Sequence, residues 1–467
     1  MTDLILILPE LVLVSVALVL IVMARRVGRA RSAAPWVIVA AVAAAGSLWA
    51  FSPEASTGFG ATIAGDGYAR FFNVLFAANL ALATLLSMRH LDSEHVPPAE
   101  YFALLLLAST GMMLAASALD FLILYLGLEL MTLCSYILVG ITRDKRVSNE
   151  ASIKYFLLGS FASALLLYGI GLTYGVTGAT DFAAIPSAIS RDGIDRHPLL
   201  LAGVGLVASG LAFKIAAVPF HAWAPDVYQG AMAPIAAFLA AGSKAAGLAA
   251  LIRVCLMAFA PEQRVWSDIL VGLAALSVTV GSLLAVSQSH MKRMLAYSSI
   301  AHAGYALLGL IAGTRDGASA TMTYAFVYSF MTLGAFGVVI ALGERGEDLK
   351  GYRGLAATAP KMAAVMFLFL LALTGIPPTA GFTAKFGVIL SAVRAGHIGL
   401  AVLAVSCSVV SAFFYLRVAV LMYMTEPEGV APARVPASIS AALAVAAAVT
   451  IIGGIFPNSF AAWTVPP

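Results

Sequence analysis

The chain has 467 residues, 61% of them hydrophobic and 11% charged, with a formal net charge of +4. An average soluble chain carries roughly 25% charged and 45–50% apolar residues. So few charges cannot cover a water-facing surface of this size, which excludes a soluble enzyme, a disordered chain and a nucleic-acid binder. What remains is an all-α polytopic membrane protein, since no strand-like alternation competes with the apolar runs and the backbone must satisfy itself in lipid.

The first apolar run, 4–23, is preceded by an acidic rather than a basic residue and reads as a retained span, not a cleavable leader. Further runs follow at 34–51, 71–88, 101–118, 120–141, 153–175, 199–218, 234–260, 269–288, 295–312, 318–342, 362–393, 397–422 and 436–456. That makes about fourteen spans. Two are weak: 71–88 contains Asn73 and Asn79, and 362–393 is interrupted by Gly375, Pro377, Pro378 and Gly381. Cys134, Cys255 and Cys407 fall inside apolar runs without a CxxC spacing, so they read as small core residues; no metal or cofactor ligand set is expected. The stretch GVGLVA (203–208) imitates a dinucleotide fingerprint but has no strand before it, and reads as close helix packing.

Sorting the 27 basic residues tests this division. Counted from an outside N-terminus, the inside loops hold 16: Arg25, Arg26, Arg29, Arg31, Arg89, Arg143, Lys145, Arg146, Lys292, Arg293, Arg345, Lys350, Arg353, Lys361, Arg417 and Arg434. The outside loops and nearby helix ends hold 7: Arg70, Arg191, Arg196, Arg253, Arg264, Arg315 and Arg394. The long outside loop 176–198 balances its arginines with Asp181, Asp192 and Asp195. The excess of positive charge inside places both termini on the outer face, and RVGRAR (26–31) reads as an ordinary orientation signal.

Four lysines remain, Lys154, Lys214, Lys244 and Lys385, all within spans; among carboxylates only Glu129 sits mid-span. A charge at the bilayer centre costs about 2.5–3.5 kcal/mol on insertion scales, so three central lysines and Glu129 must face protein or a hydrated cavity. One carboxylate cannot neutralise three ammoniums. Desolvation and like-charge repulsion weaken a buried ammonium's hold on its proton, and a lysine near neutrality takes and releases protons. A proton relay through Glu129, Lys214, Lys244 and Lys385 is therefore the reading, against a purely structural ion cluster. Lys154, near the start of its span, is either an auxiliary relay residue or a snorkelling anchor. His302 and His221 are relay candidates, because neutral imidazole both donates and accepts, or else hydrogen-bonded packing residues.

Helix breaks point the same way. Pro219 follows Lys214 by five residues and leaves the carbonyl of Ile215 without its helical donor. Pro377 and Pro378 do the same to Leu373 and Thr374, ahead of Lys385. Gly/Pro-interrupted spans in matching places of two halves mark a transporter's ion site. The fourth to eighth spans (101–260) and the ninth to thirteenth (261–425) each have five crossings with a break in or near fourth position. Five is odd, so the second group enters from the opposite side, an inverted repeat in which Lys214 matches Lys385. Residues 1–100 form a three-helix N-terminal segment and 426–467 a C-terminal helix.

The stretches PFHAWAPDVYQG, AFLAAGSKAAGLAALIR, KRMLAYSSIAHAGY and GIPPTAGFTAKFGV resemble the antiporter-like membrane subunits of respiratory complex I. LELMTLCSYILVG and EASIKYFLLGSFASALLLYG resemble subunit N in particular. The resemblance spans about residues 100–425 and implies fourteen helices with inverted five-helix repeats. It implies a glutamate (Glu129) paired with a broken-helix lysine (Lys214), a lysine relaying inward (Lys244), a lysine opening to the outer side (Lys385) and an additional lysine at Lys154. It further implies a bacterial inner-membrane protein beside other antiporter-like subunits, lipids and protons. NADH, flavin, iron–sulfur clusters and quinone would be bound by partners and none by this chain. Two departures stand out: GAMAPI (230–235) replaces a sequence close to GAPTPV, and Ser289, His290 and Met291 precede Lys292 where the family has an acidic residue. The rival readings are a subunit of a multi-subunit Na+/H+ antiporter and a non-pumping structural subunit.

Overall fold

The computed structural model describes residues 2–50, 56–194, 197–427 and 435–467. Of the charges sorted above, Asp195, Arg196 and Arg434 lie outside the described residues. Among the described residues, 11 helices are long and apolar enough to cross a membrane, and shorter apolar helices occupy Leu8–Val22, Pro198–Lys214 and Pro360–Thr374.

Most expected runs coincide with helices whose ends are shifted, and local chemistry explains the shifts; the interrupted run 362–393 is two helices, Pro360–Thr374 and Ala380–Arg394. The weak run 71–88 is one helix, Gly67–Ser93, because the Asp66 carboxylate accepts the backbone N–H of Ala69 at 2.8 Å and caps its start. Asn73 and Asn79 are buried against neighbouring helices rather than lipid. The run 153–175 extends to Arg146–Thr177, whose polar first turns precede the apolar part, and Gly178 ends it at φ +69°. Asp120 caps Phe121–Val139 through Leu122 N at 2.7 Å. The first run is divided into Thr2–Leu6 and Leu8–Val22, with Pro9 in the opening turn of the second helix.

Three features have no counterpart in the sequence reading. Two three-residue strands, Ser56–Gly58 and Ile63–Gly65, pair antiparallel in a loop, too short to produce an alternation signal. A short helix, Ala184–Asp192, lies in the long loop after Thr177. The run 234–260 is not a regular α-helix: Ala233–Phe238 passes into a π segment, Leu239–Ser243, then Lys244–Arg253, then a second π segment, Val254–Ala258.

Two assignments from the charge count are corrected. Arg253 is not at an exposed helix end but fully buried; its guanidinium pairs with both oxygens of Asp66 (2.8 and 2.9 Å), donates to the Ala116 carbonyl (2.8 Å) and stacks on Tyr68. Lys292 is likewise buried and pairs with Glu347 at 2.7 Å, so the acid missing before Lys292 is supplied by a distant loop.

Helix pairs close on small residues, as membrane bundles require. A Cβ on Gly111 would lie 2.5 Å from the Gly127 carbonyl oxygen, and one on Gly281 2.5 Å from Ala301 N. Gly203 meets Gly169 and Thr173 in the same way, so GVGLVA is a packing surface. Gly111→Ala should therefore push Pro98–Ser117 off Phe121–Val139 and cost about 1–3 kcal/mol, read as a lower melting temperature of the detergent-purified protein.

Candidate functional site

Glu129 projects from Phe121–Val139 toward the end of Pro198–Lys214. Its Oε1 accepts from Ser163 Oγ at 2.5 Å and from Lys214 Nζ at 3.3 Å. The Lys214 ammonium also donates to Thr132 Oγ1 at 2.8 Å and is only 2% exposed. Lys214 is the last residue of its helix. Beyond it the chain turns through Ala216 at φ +56°, Val218 N donates to Ser277 Oγ, and Trp223 Nε1 donates to the Phe213 carbonyl at 3.0 Å. The break is thus built on side-chain caps. The Lys214 ammonium takes side-chain partners, not the Ile215 carbonyl that the proline argument placed beside it.

Lys244 opens the helical segment after the first π segment, where the widened turn shifts the side-chain direction from that of a regular helix. Its ammonium donates to the Ser299 carbonyl at 2.7 Å. No carboxylate lies within ion-pair distance of it among the described residues. Its helix touches that of Lys214 at Gly247, where a Cβ would lie 3.2 Å from Lys214 Cβ.

Ser299 sits one turn from His302 on Met291–Ile311. His302 Nδ1 bonds with the Tyr324 hydroxyl at 2.7 Å and Nε2 with that of Tyr415 at 3.3 Å; Tyr415 also bonds with Ser298. The His302 and Tyr305 rings lie 5.9 Å apart, and Lys385 Nζ sits 4.5 Å over the Tyr305 ring. Lys385 caps the interrupted helix: it donates to Thr374 O at 2.8 Å and Leu373 O at 3.2 Å, the two carbonyls freed by Pro377 and Pro378, and to Ser408 Oγ at 3.0 Å. Gly375 makes this approach possible, with φ +86° and its absent Cβ 2.9 Å from Lys385 Cδ.

Lys154 stands apart from this buried row, 44% exposed and paired with Glu150 and Asp226 at 2.8 Å each; Arg293 shares Asp226 at 2.7 Å. His221 lies in the turn after Lys214's helix, its Nδ1 buried without a hydrogen-bond partner.

A cavity of about 660 Å³ opens on the face where the basic loops gather, lined by His90, Glu94, Lys145, Gln229, Lys292 and Glu347 among others. It carries the pairs Lys145–Glu94 and Lys292–Glu347, both at 2.7 Å. Beside it His290 is held below the ordinary histidine range by burial and then by the Lys292 charge, so it is neutral at neutral pH. Ser299 lies seven residues from Lys292 along one helix, about 10 Å. Three buried hydroxyls, Tyr228, Ser299 and Thr332, belong to helices that line this cavity. Buried hydroxyls of this kind are sites for internal water. Sequence reasoning missed them, since isolated Ser, Thr and Tyr residues occur throughout the spans.

Membrane-length helices around a row of buried lysines, two of them at helix breaks, define a polytopic membrane protein of transporter-like build. A family model described as NADH:quinone oxidoreductase/Mrp antiporter, TM, matches residues 118–411. The chain is 43% identical over 457 residues to NADH-quinone oxidoreductase subunit N 2 of Rhizobium meliloti, covering 97% of this chain and 95% of that protein. It is 45% identical over 479 residues to subunit N of Desulfovibrio desulfuricans, again covering 97% and 95%. A chain of respiratory complex I from Thermus thermophilus superposes with a TM-score of 0.84 at 32% identity, covering 97% of this chain and 98% of that one. A chain of the Mrp complex from Dietzia sp. superposes equally well, at 0.84 over 98% and 96%, but at 21% identity this shows the fold alone. The chain belongs to the family of membrane subunits shared by NADH:quinone oxidoreductases and Mrp antiporters.

Proposed function

We propose that this chain is a proton-translocating subunit, of the subunit N type, in the membrane arm of an NADH:quinone oxidoreductase. The observation that carries the reading is the buried row Glu129–Lys214, Lys244, His302 and Lys385, in a chain 43–45% identical to subunit N over nearly its whole length. The oxidoreductase chemistry belongs to the complex: NADH, flavin, iron–sulfur clusters and quinone are held by partner subunits, and this chain moves protons.

Uptake occurs through the cavity lined by His90, Glu94 and Lys292. Its face is read as the inner one, both termini lying outside, by the excess of basic residues, 15 to 6 once the buried Lys292 and Arg253 are set aside. The setting is a bacterial inner membrane. Water held by Tyr228, Ser299 and Thr332 connects the cavity to Lys244, and a proton leaves by His302 and Lys385. Gaps between neighbouring helices of roughly 8–10 Å require such bridging waters. The Glu129–Lys214 pair is the switch: a near carboxylate holds the proton on the lysine, and its withdrawal lets the proton pass on. Lys154, exchanging between Asp226 and Glu150, and His221 are auxiliary positions. Tyr228→Phe removes one water ligand without changing packing volume and should slow proton translocation about fivefold, the factor for roughly 1 kcal/mol, with assembly unchanged on native gels.

The spans are read as fourteen, counting the three short helices with the 11 long ones and joining Pro360–Thr374 to Ala380–Arg394 across its break. The fourth to eighth and ninth to thirteenth spans are taken as inverted repeats. Support comes from a broken helix fourth in each group, and from the close crossing at Gly111 and Gly127 being matched by one at Gly281 and Gly304.

A neighbouring antiporter-like subunit is assigned to the outward stripe of Phe121–Val139. Leu122, Leu126, Leu133 and Ile137 are exposed there at helical spacing, and Glu129, 20% exposed, falls on the same stripe. A carboxylate facing lipid is too costly to leave uncovered. The reading is tested by purifying the tagged chain in mild detergent. It should bring down NADH:quinone oxidoreductase activity, and proteoliposomes of that complex should translocate protons on NADH addition equally in sodium and potassium buffers. Sodium-dependent proton exchange without NADH would move the chain to the antiporter branch of the family.

A further inference from the structure

On the face opposite the basic loops lies a second cavity of about 210 Å³. Phe71, Val74, Phe326 and Val465 form apolar walls, and Trp49 and Trp463 flank it with their rings 6.4 Å apart in an edge-to-face arrangement. Both tryptophans are more than half exposed, at 65% and 55%. Trp49 lies at the end of Ala30–Ala50 and Arg70 in the first turn of Gly67–Ser93, so both sit where the spans leave the membrane. Tryptophan and arginine at that depth belong to the headgroup layer.

Arg70 is the one charge lining this cavity among the described residues. Its guanidinium carbon lies 5.6 Å over the Trp49 ring, and its Nε is buried without a hydrogen-bond partner among the described residues. The acid closest in sequence, Asp66, is already engaged by both nitrogens of Arg253 and by Ala69 N. The terminal N–H groups of a guanidinium match two oxygens of a phosphate. We propose that this cavity is a binding site for an anionic phospholipid, with Arg70 as the phosphate ligand and the two tryptophans flanking the glycerol and first acyl carbons.

The chemistry favours this occupant over others. A free phosphate leaves the apolar walls unused. Zwitterionic headgroups bring an ammonium, and among the described residues no carboxylate lines the cavity to receive it. At 210 Å³ the space is smaller than that of a drug-sized ligand site, roughly 300–1,000 Å³, and suits a headgroup with the start of a chain better than a segment of a protein partner. The site is independent of the proton pathway and stands whether or not that reading holds.

The test uses the intact, detergent-purified complex, stripped of loosely held lipid and resupplied with phosphatidylglycerol. Native mass spectrometry then counts retained lipid. Arg70→Gln should retain phosphatidylglycerol about tenfold more weakly than the wild type, as expected for losing one charged hydrogen-bonding partner, and Arg70→Lys should be intermediate. Val74→Phe leaves the charge and fills the cavity, and should lose the lipid as well, which guards against a folding defect in the arginine variants. Phosphatidylcholine of the same chains should not be retained, and millimolar inorganic phosphate should not displace the phosphatidylglycerol. Equal retention by wild type, Arg70→Gln and Val74→Phe overturns the proposal. So does displacement by inorganic phosphate, equal retention of phosphatidylcholine, or a photo-crosslinker at position 463 capturing a partner subunit instead of lipid.

Discussion

Lys244→Met abolishes coupled proton translocation, a loss of about tenfold or more, while the assembled complex keeps its melting temperature or gains slightly. Both halves of this expectation follow from one geometry. Lys244 is buried and, among the described residues, its ammonium bonds only to the Ser299 carbonyl and no carboxylate pairs with it. A buried charge without a counter-ion stabilises nothing; it costs desolvation, so an apolar chain of similar length removes a cost. In the proposed relay, by contrast, Lys244 is the titratable group between Lys214, whose helix it meets at Gly247, and the His302–Tyr415 hydrogen bonds next to Ser299. Proton movement in proteoliposomes and a thermal melt of the same preparation check the two halves separately. A structural lysine would show the reverse, with melting lowered and pumping intact in whatever complex assembles.

The second large effect is on stability. Arg253→Met should cost about 3 kcal/mol, the lower end of the range for breaking a buried ion pair, because Asp66 stays partly in water. The loss includes the Ala116 contact and the stacking on Tyr68 as well as the pair itself. It also loosens the second π segment, which begins at the next residue, Val254. Asp66→Asn combined with Arg253→Met should recover part of the loss, since no uncompensated carboxylate is then left behind, although Asn still caps the helix at Ala69. Melting temperatures of the four species of this cycle give the coupling directly.

Much of this architecture is legible from hydropathy, because a 467-residue chain with so few charges leaves each misplaced charge conspicuous. Lys214, Lys244 and Lys385 stand out for that reason, and Pro377 and Pro378 identify in advance the carbonyls that Lys385 meets. What stays hidden depends on distance along the chain or on backbone detail. Glu347 reaches Lys292 across 55 positions, and Asp66 reaches Arg253 across 187. Neither pairing has a local signature, so Lys292 reads as a loop charge and Arg253 as a helix-end charge. The π segments beside Lys244 carry no proline or glycine cluster to betray them; Ala-rich sequence supports α and π turns alike. Hydroxyls such as Thr132 and Ser163 become functional candidates only when an ammonium or carboxylate is found beside them.

The ratio of protons moved to electrons transferred by Lys214→Arg in reconstituted proteoliposomes separates a working relay from an inert ion pair. Arginine keeps the charge and reaches the same Glu129 carboxylate, but it does not give up its proton at any accessible pH. The expected result is an assembled complex that oxidises NADH in the presence of uncoupler yet moves few or no protons through this subunit. A Lys214→Arg complex with the wild-type ratio would contradict proton exchange at Lys214 and leave the Glu129–Lys214 pair a structural feature.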